Sequence, residues 1–423
     1  MLAWMAVIVL SVSHGVYLVP FVRSLRRKRV PSAMEFVGLS AVLYFDLGVV
    51  LEAMGWRYES AFFAPVFEAS PGRLVLAIAL MAAAPWLIRL GAGRRVSAAG
   101  DGLTLKNGWY RRAFYGGALL VCAVCVAIPV AVIGFGAPLW EMRFLLGQAM
   151  GAWIEVLTLP MCLLAFYVRL DDARSWKGKG FTAFLLASSV VATVAMGERT
   201  LLLLPFVIVV LFSGDVSWKK WAATAIAGVV VAAWMLPAFK FAQEGRRTSL
   251  GQLVAETVGN DFYRAPELVT ALGMSSAIGT HEMGYSGAGY VYASLLFVPR
   301  SIAEFKGNSS ATSFTARVMQ EAEDSLSWGF GISAVSEAVL NFGFLLAPLV
   351  LVAYGAALGW LTRRAERWTA LRTPLCLAGL WLFGYHLPAL LALFGTMALV
   401  GVICERWFAG AALAGISAER ATC

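Results

Sequence analysis

Apolar runs of about 20 residues, joined by short polar connectors, make up most of this chain. The first run extends from Leu2 to Val22, too long for the apolar part of a signal peptide, and no small-residue cleavage site follows it. It therefore predicts a retained helix. Two later runs meet at a tight hairpin tip, Gly197-Glu198-Arg199, and the last run predicts a bend near His386. The predicted spans lie at about 2–22, 32–54, 73–90, 113–135, 144–168, on either side of the tip, and at about 221–239, 331–361 and 374–407.

This pattern is typical of an all-α polytopic membrane protein, with about 11 transmembrane helices, in a range of about 10–12. One long stretch interrupts it. Residues 240–330 are polar and glycine-rich, yet they carry aromatic side chains such as Tyr290 and Trp328 that can bury apolar surface. We therefore predict three parts: an N-terminal bundle of about eight helices in residues 1–239, one large extracytoplasmic loop in residues 240–330, and C-terminal transmembrane helices in residues 331–423. We expect the loop to fold as a cap and to hold the active site.

The charge distribution fits a membrane protein. Only 14% of the 423 residues are charged, against roughly 25% in soluble proteins. The net charge of +9 would suit nucleic acid, but the basic residues cluster in short connectors such as RSLRRKR, GAGRRV and TRRAER. Basic connectors stay in the cytoplasm and set topology, so we expect no nucleic-acid partner and place the large loop outside. None of the six cysteines lies in residues 240–330, and nothing in their spacing indicates a disulfide framework or a zinc site.

Four cations are candidates for binding an anionic substrate: Arg199 at the hairpin tip, and Arg264, Arg300 and Lys306 in the predicted loop. The planar guanidinium of arginine gives a phosphate two parallel charge-assisted hydrogen bonds. Each loop cation also has an ordinary explanation as a salt bridge, because acidic residues balance the loop, and Arg199 could instead cap or pair at the hairpin tip. Arg300 favours the binding role because it follows Pro299 at the end of an apolar run.

The candidates for acid–base chemistry are Glu337 and His281. Ser333, Glu337 and Asn341 are spaced by four, so on a helix they form one polar stripe. The stripe lies where the chain re-enters the membrane, and it either lines a cavity beneath the loop, with Asn341 on the substrate, or makes interhelical hydrogen bonds. His281 is either a general base or a surface residue, and one histidine cannot build a metal site. The chain has no GxSxG, HExxH or P-loop pattern and no DxD-like acidic pair on the predicted outer side, so we expect no metal and no cofactor.

Three segments carry a family resemblance. They are the Gly197-Glu198-Arg199 tip followed by leucines, YVYASLLFVPRSIAEFKG with its Pro-Arg and later lysine, and SAVSEAVLNFG with its glutamate and Asn-Phe-Gly. Together they resemble the oligosaccharide repeat-unit polymerases, the Wzy-type O-antigen polymerase family of bacterial envelope proteins. The similarity covers roughly residues 197–343, and the rest matches only in hydropathy. One departure is that Ala303, Glu304 and Phe305 stand where the family often has a tryptophan or proline near the Pro-Arg and lysine pair.

The resemblance implies a GT-C-like glycosyltransferase of the bacterial inner membrane. Such an enzyme moves a growing glycan from a polyprenyl pyrophosphate onto a sugar hydroxyl of a lipid-linked repeat unit. Its implied partners are the polyprenyl-pyrophosphate-linked oligosaccharide, the lipid bilayer, a chain-length regulator and a flippase. Cations suit a leaving pyrophosphate, and an acceptor hydroxyl needs a base. Two alternatives stay open: an O-antigen ligase-like glycosyltransferase with a different acceptor, and a lipid-glycan transporter or flippase, although internal repeats are not evident.

Overall fold

The regular structure of the described residues is entirely helical. The computed structural model describes residues 2–27, 31–56, 62–93, 109–133, 180–188, 219, 259, 262–274, 287–296, 298, 302–303, 308–326, 329–365 and 371–408. Within these ranges five helices are long and apolar enough to cross a membrane: Leu2–Arg26, Ala33–Ala53, Pro71–Ala92, Ala334–Ala365 and Leu387–Trp407. The predicted all-α class is therefore confirmed, and the total of about 11 spans stays a prediction.

The helix bounds follow the predicted apolar runs closely. The helices are α1 (Leu2–Arg26), α2 (Ala33–Ala41), α3 (Leu47–Ala53), α4 (Pro71–Ala92), α5 (Trp109–Ile133), α6 (Ala265–Met274), α7 (Ala288–Ser294), α8 (Ser310–Met319), α9 (Ala334–Ala365), α10 (Arg372–Trp381) and α11 (Leu387–Ile403). Helix α1 continues four residues beyond the predicted end of the first run, and α5 begins four residues before the fourth. The predicted spans at 144–168 and 221–239 lie outside the described residues. Of the two predicted spans that meet at the hairpin tip, the structure describes only residues 180–188.

The second span begins with a capping box and contains a π-turn. Ser32 accepts a hydrogen bond from the Glu35 backbone N–H, and the Glu35 carboxylate accepts one from the Ser32 N–H at 2.6 Å. This reciprocal pair satisfies two N–H groups that a helix start leaves unpaired. The π-turn Val42–Asp46 then joins α2 to α3. Such turns are rare and are frequent at functional sites.

Two further spans are interrupted. Gly343 in α9 has φ 73° and ψ 172°, a left-handed conformation that favours glycine and breaks the regular helix there. The predicted bend near His386 is confirmed, because α10 ends at Trp381 and α11 begins only at Leu387. Helix α10 has ten residues, about 15 Å of helix against a hydrocarbon core of about 30 Å. The bend at residues 382–386 therefore belongs inside the bundle.

Glycines allow α4 and α9 to pack backbone against backbone. A Cβ on Gly355 would lie 1.9 Å from the Ile88 carbonyl oxygen, and one on Gly359 would lie 2.4 Å from that of Ala92. Residues 355 and 359 form a GxxxG pair, the spacing that lets membrane helices approach closely. Because 88 faces 355 and 92 faces 359, the two helices run parallel.

The basic ends of several helices lie on one side of the bundle. The Arg363 guanidinium, near the end of α9, donates to the Ala92 carbonyl at the end of α4. Helix α1 also runs parallel to α4, since His14 contacts Met81 and Tyr17 contacts Trp86. These relative directions agree with the topology predicted from the basic connectors.

The described parts of the predicted loop pack directly among the long helices. Leu268 of α6 and Phe314 of α8 are fully buried in the same hydrophobic core as α4 and α9. Tyr263, just before α6, is also fully buried; its ring fills the space left by Gly48, and its hydroxyl donates to the Glu52 carboxylate. These segments are therefore continuous with the bundle, in contrast to a separate domain resting on it.

Candidate functional site

Three elements meet at the carboxylate of Glu337, which has no exposed surface. Its Oε2 accepts hydrogen bonds from the Leu387 backbone N–H at 2.6 Å and from the Tyr354 hydroxyl at 3.3 Å. Its Oε1 accepts one from the Ser310 hydroxyl at 3.0 Å. Leu387 is the first residue of α11, where N–H groups lack helical partners and the helix dipole favours an anion. The carboxylate therefore joins α8, α9 and α11.

Asn341, one turn after Glu337, ties both loop helices to α9. Its side-chain amide donates to the Ser310 hydroxyl at 3.0 Å and to the Glu337 backbone carbonyl at 2.9 Å. Its side-chain carbonyl accepts from the Gly289 N–H at 2.9 Å. Its backbone carbonyl accepts from the Gly287 N–H at 3.2 Å. Asn341 has no exposed surface, so every one of these bonds is made away from solvent.

The close approach of α7 to this network requires glycine. A Cβ on Gly289 would lie 1.6 Å from the Ser310 hydroxyl oxygen and 3.1 Å from the Asn341 amide nitrogen. The break at Gly343, two residues after Asn341, lets the carbonyl of Asn341 turn toward Gly287. Glycine is thus needed twice in a small volume, once for space and once for its backbone conformation.

The polar stripe predicted on α9 is used for contacts between helices. Glu337 and Asn341 lie on one face and bond α7, α8 and α11. Ser333 precedes the helix and accepts a hydrogen bond from the Ser336 N–H at 3.0 Å, as a helix-capping residue does. The described contacts of the stripe are hydrogen bonds between helices, and its role in lining a substrate cavity stays a prediction.

A second buried cluster surrounds Arg264, which directly precedes α6 and is 6% exposed. Its backbone N–H donates to the carbonyl of Tyr44 in the π-turn at 2.9 Å. Its guanidinium donates to the Gly384 carbonyl at 3.2 Å and to the Glu267 carboxylate at 3.2 Å. A Cβ on Gly331 would lie 2.7 Å from the same guanidinium, so that neighbour is also held close. Arg264 therefore fixes the bend before α11 to α6 and to the π-turn.

One titratable group beside Arg264 has a strongly shifted pKa. Burial raises the pKa of Glu267 to about 7, and the nearby Arg264 opposes that shift. One oxygen of Glu267 and the Nδ1 of His386 are enclosed without a hydrogen-bond partner. His386 as a whole residue is half-buried.

The two clusters lie on either side of the same five-residue bend. Arg264 holds the carbonyl of Gly384, and Glu337 holds the N–H of Leu387, three residues later. A buried cation and a buried carboxylate thereby set the direction in which α11 begins. Buried charges of this kind inside a bundle are costly unless paired, and they mark functional regions of membrane proteins.

Comparison with protein-family models, with curated proteins and with solved structures finds no match for this chain. Within the described residues no group of three or more His, Cys, Asp or Glu side chains is placed to hold a metal ion. The chemistry that the described site offers is that of a shielded carboxylate surrounded by hydroxyl and amide donors. Such a group can accept or release a proton when a hydroxyl substrate reaches it.

The structure brings together some of the predicted site residues. Glu337 and Asn341 share one network, and Arg264 lies across the bend from them. Arg199, His281, Arg300 and Lys306 lie outside the described residues. Sequence reasoning missed Ser310, Tyr354 and the Leu387 N–H as partners of Glu337. It also missed the Arg264–Glu267 pair, although their i,i+3 spacing at a helix start is a signal for such a pair.

A further buried ionisable pair lies in α1 and the π-turn, and the sequence reasoning did not single it out. The His14 Nδ1 is 2.6 Å from the Asp46 carboxylate, and the His14 Nε2 is 3.0 Å from the Met81 carbonyl oxygen. Both side chains are almost completely enclosed. Two ionisable residues in adjacent apolar spans were a usable signal, because charges are rare in membrane helices. The pair links α1, the π-turn and α4.

Proposed function

We propose that this protein is a membrane-embedded glycosyltransferase that polymerises an envelope polysaccharide. It would transfer a polyprenyl-pyrophosphate-linked glycan onto a lipid-linked oligosaccharide repeat unit. The observation that carries the proposal is the enclosed carboxylate of Glu337, held at the start of α11 and bonded to α8 of the predicted loop. Glu337 and Asn341 also belong to the SAVSEAVLNFG segment that resembles the polymerase family.

Glu337 is the proposed general base. The donors from Leu387 and Ser310 stabilise its anionic form, which is the form that accepts a proton. A base must come within about 2.6–3.2 Å of the hydroxyl it deprotonates. The Ser310 hydroxyl now occupies such a position at 3.0 Å, so the acceptor sugar hydroxyl would replace it as α8 shifts. His281 remains the second candidate for the base.

Arg300 and Lys306 are the proposed ligands of the donor pyrophosphate, with Arg199 contributing a third charge. Positive groups stabilise the negative charge that develops on a leaving pyrophosphate. Arg300 and Lys306 lie in the chain between α7 and α8, and both helices bond the Glu337–Asn341 network. Arg264 would act on the same substrate from the bend, which its guanidinium already supports.

The proposed location is the bacterial inner membrane, with residues 240–330 on the extracytoplasmic side. The parallel packing of α1, α4 and α9 supports one common direction for their basic ends. A chain-length regulator and a flippase are the proposed protein partners. The lipid-linked substrate would reach the site from the bilayer, so no soluble nucleotide site is required.

One observation favours a lipid-glycan transporter as a second candidate. Three spans are interrupted, at the π-turn Val42–Asp46, at Gly343 and at residues 382–386. Broken helices whose half-helix ends face a polar site are common in transporters. An O-antigen ligase shares the chemistry of the polymerase and differs in its acceptor.

Deletion of the gene in its native bacterium separates these functions. Loss of a polymerase leaves single repeat units on the lipid core, loss of a ligase leaves none there, and loss of a transporter traps lipid-linked repeats inside the cell. We expect single repeats, and we expect wild-type protein but not Glu337→Gln, at matched expression, to restore the long chains. A ladder restored in full by Glu337→Gln would overturn the assignment of the base.

A further inference from the structure

Two tyrosine hydroxyl groups lead outward from the carboxylate of Glu337. The Tyr354 hydroxyl is 3.3 Å from the Glu337 Oε2 and 3.0 Å from the Tyr290 hydroxyl. Glu337 has no exposed surface, whereas Tyr290 is half-buried. The three side chains therefore form a continuous row of oxygen atoms from an enclosed carboxylate to a residue that is only half-buried.

The row can be oriented as a chain of donors. Each tyrosine hydroxyl has one proton and can also accept a hydrogen bond, and its proton rotates to suit. Tyr290 can donate to Tyr354 while Tyr354 donates to Glu337, and the reverse order is equally allowed. Burial, with the nearby Glu337 charge adding to it, raises the pKa of Tyr290 well above its ordinary value, so this hydroxyl stays protonated as a donor.

The rings are held in place by their neighbours. The centroid of the Tyr290 ring is 5.2 Å from that of Phe342 and 6.2 Å from that of Tyr354. Helix α7, which carries Tyr290, is itself fixed by the bond from the Gly289 N–H to Asn341. Fixed rings hold the Tyr354 hydroxyl within hydrogen-bonding distance of both Tyr290 and Glu337.

The other described hydrogen-bond partners of Glu337 do not provide a path by which a proton could leave the carboxyl. The Leu387 N–H is a backbone amide, which keeps its proton. Within the described residues, the Ser310 hydroxyl bonds to Asn341 besides Glu337, and the Asn341 side-chain carbonyl accepts from the Gly289 N–H. An amide side chain ends a proton relay because it does not readily take up or release a proton. Tyr354 is the partner that connects to another hydroxyl.

We propose that Tyr354 and Tyr290 form a proton path between the enclosed carboxyl of Glu337 and the aqueous phase. The path depends on the proposed function only for its purpose, which is to clear the proton that Glu337 takes from the acceptor hydroxyl. As the Glu337 carboxyl gives its proton to the Tyr354 oxygen, Tyr354 gives its own to Tyr290, and Tyr290 gives one to water. Both tyrosines end unchanged, and Glu337 returns to the carboxylate. Tyr354 and Tyr290 are positioning residues in this scheme, since they act through Glu337.

The test measures proton exchange at Glu337 without any substrate. Protein containing ¹³C-labelled glutamate is subjected to a rapid pH jump, and the Glu337 carboxyl band is identified by its loss in Glu337→Gln. Infrared spectroscopy then follows the rate at which this band responds in wild type, Tyr354→Phe, Tyr290→Phe and the double variant. Tyr17→Phe is the matched control, because it removes another buried tyrosine hydroxyl, from α1, with no contact to Glu337.

The proposal predicts slowing on the order of 100-fold in Tyr354→Phe and Tyr290→Phe, comparable to the loss of a positioned proton carrier. The double variant should be no slower than Tyr354→Phe, because the two groups act in series, and Tyr17→Phe should match wild type. Unchanged rates in either single variant, multiplied effects in the double variant, or a wild-type band that does not respond would overturn the path. If Tyr354→Phe does not fold, Tyr290→Phe decides alone.

The outcome is separable from the proposed function. Slow exchange in the tyrosine variants together with no glycan polymerisation by the wild type would leave the path intact and remove the polymerase proposal. Normal proton exchange in the tyrosine variants together with active polymerisation by the wild type would remove the proton path and leave the polymerase proposal intact. Where both hold, the tyrosine variants should also lower the polymerisation rate without changing the apparent affinity for the lipid-linked substrate.

Discussion

The side chain of Glu337 and the backbone N–H of Leu387 lie 50 residues apart in the chain and form a 2.6 Å hydrogen bond inside the protein. This bond fixes the start of α11 against the first turns of α9. The same carboxylate reaches α8 through Ser310, so one side chain couples a membrane helix, the bend before another and the predicted outer loop. A rearrangement of the loop must therefore alter the surroundings of this carboxylate.

The glycine at position 289 should be sensitive even to alanine. The added methyl group would meet the Ser310 hydroxyl oxygen at 1.6 Å and push α7 away from the Glu337–Asn341 network. We expect Gly289→Ala to destabilise the protein by about 1–3 kcal/mol, as overpacking of a dense core does. Thermal unfolding of the purified protein in detergent measures the change.

Gly395→Ala is the matched control for that substitution. Gly395 lies within α11, and no atom is within 4 Å of the position of its added Cβ. Replacing a helix-interior glycine by alanine without a clash is stabilising by roughly 0.5–1 kcal/mol. An unfolding midpoint of Gly289→Ala at or above that of Gly395→Ala would show that α7 is not packed as described.

The cluster around Arg264 should make stability depend on pH. The pKa of Glu267 rises from an ordinary value of 4.5 to about 7 on folding because the carboxyl is buried. The folded protein therefore holds a proton that the unfolded chain releases, and this contribution is complete below pH 4.5 and is lost as the pH rises through 7. Relative to Glu267→Gln, the wild type should lose stability across that window. Thermal unfolding midpoints measured across this pH window test the prediction, with the exposed Glu321→Gln as control. If the midpoints of wild type and Glu267→Gln changed with pH in the same way, the result would contradict the burial of this carboxyl.

The proposed topology can be tested at two exposed positions. Glu321 follows α8 in the predicted loop, and Arg364 lies near the basic end of α9. A cysteine replacing Glu321 should react with a membrane-impermeant thiol reagent in intact spheroplasts, whereas a cysteine replacing Arg364 should react only after lysis. The unsubstituted protein measures the background from its own cysteines, three of which are buried. The opposite labelling pattern would place residues 240–330 in the cytoplasm and remove the polymerase proposal.

Much of the helix layout was predictable from hydropathy, because the interior of a membrane demands long apolar helices. The bend near His386 and the placement of Glu337 and Asn341 on one face also followed from local sequence. The partners of Glu337 did not, since Ser310, Tyr354 and Leu387 reach it through tertiary packing. The contact between Glu337 and Tyr354 was hidden for a second reason. Gly343 breaks α9 between these two residues, so regular helical spacing cannot predict whether they lie on the same face.

The interruption of the second span was equally hidden from the sequence. The apolar residues from Val42 to Phe45 do not distinguish a π-turn from a regular helix, and the Tyr44 carbonyl finds its partner in Arg264, far along the chain. Asp46 was the one local indication, because a carboxylate in an apolar span needs a partner, which His14 supplies.

The most direct test of the polymerase proposal is polymerisation in a defined system. Purified protein in liposomes is supplied with a polyprenyl-pyrophosphate-linked oligosaccharide repeat unit, and the length of the lipid-linked products is measured. The wild type should produce chains of two or more repeats, Glu337→Gln should be slower by about 100-fold or more, and the exposed Glu321→Gln should match the wild type. Products that remain single repeats with the wild type, or equal rates for wild type and Glu337→Gln, would contradict the account.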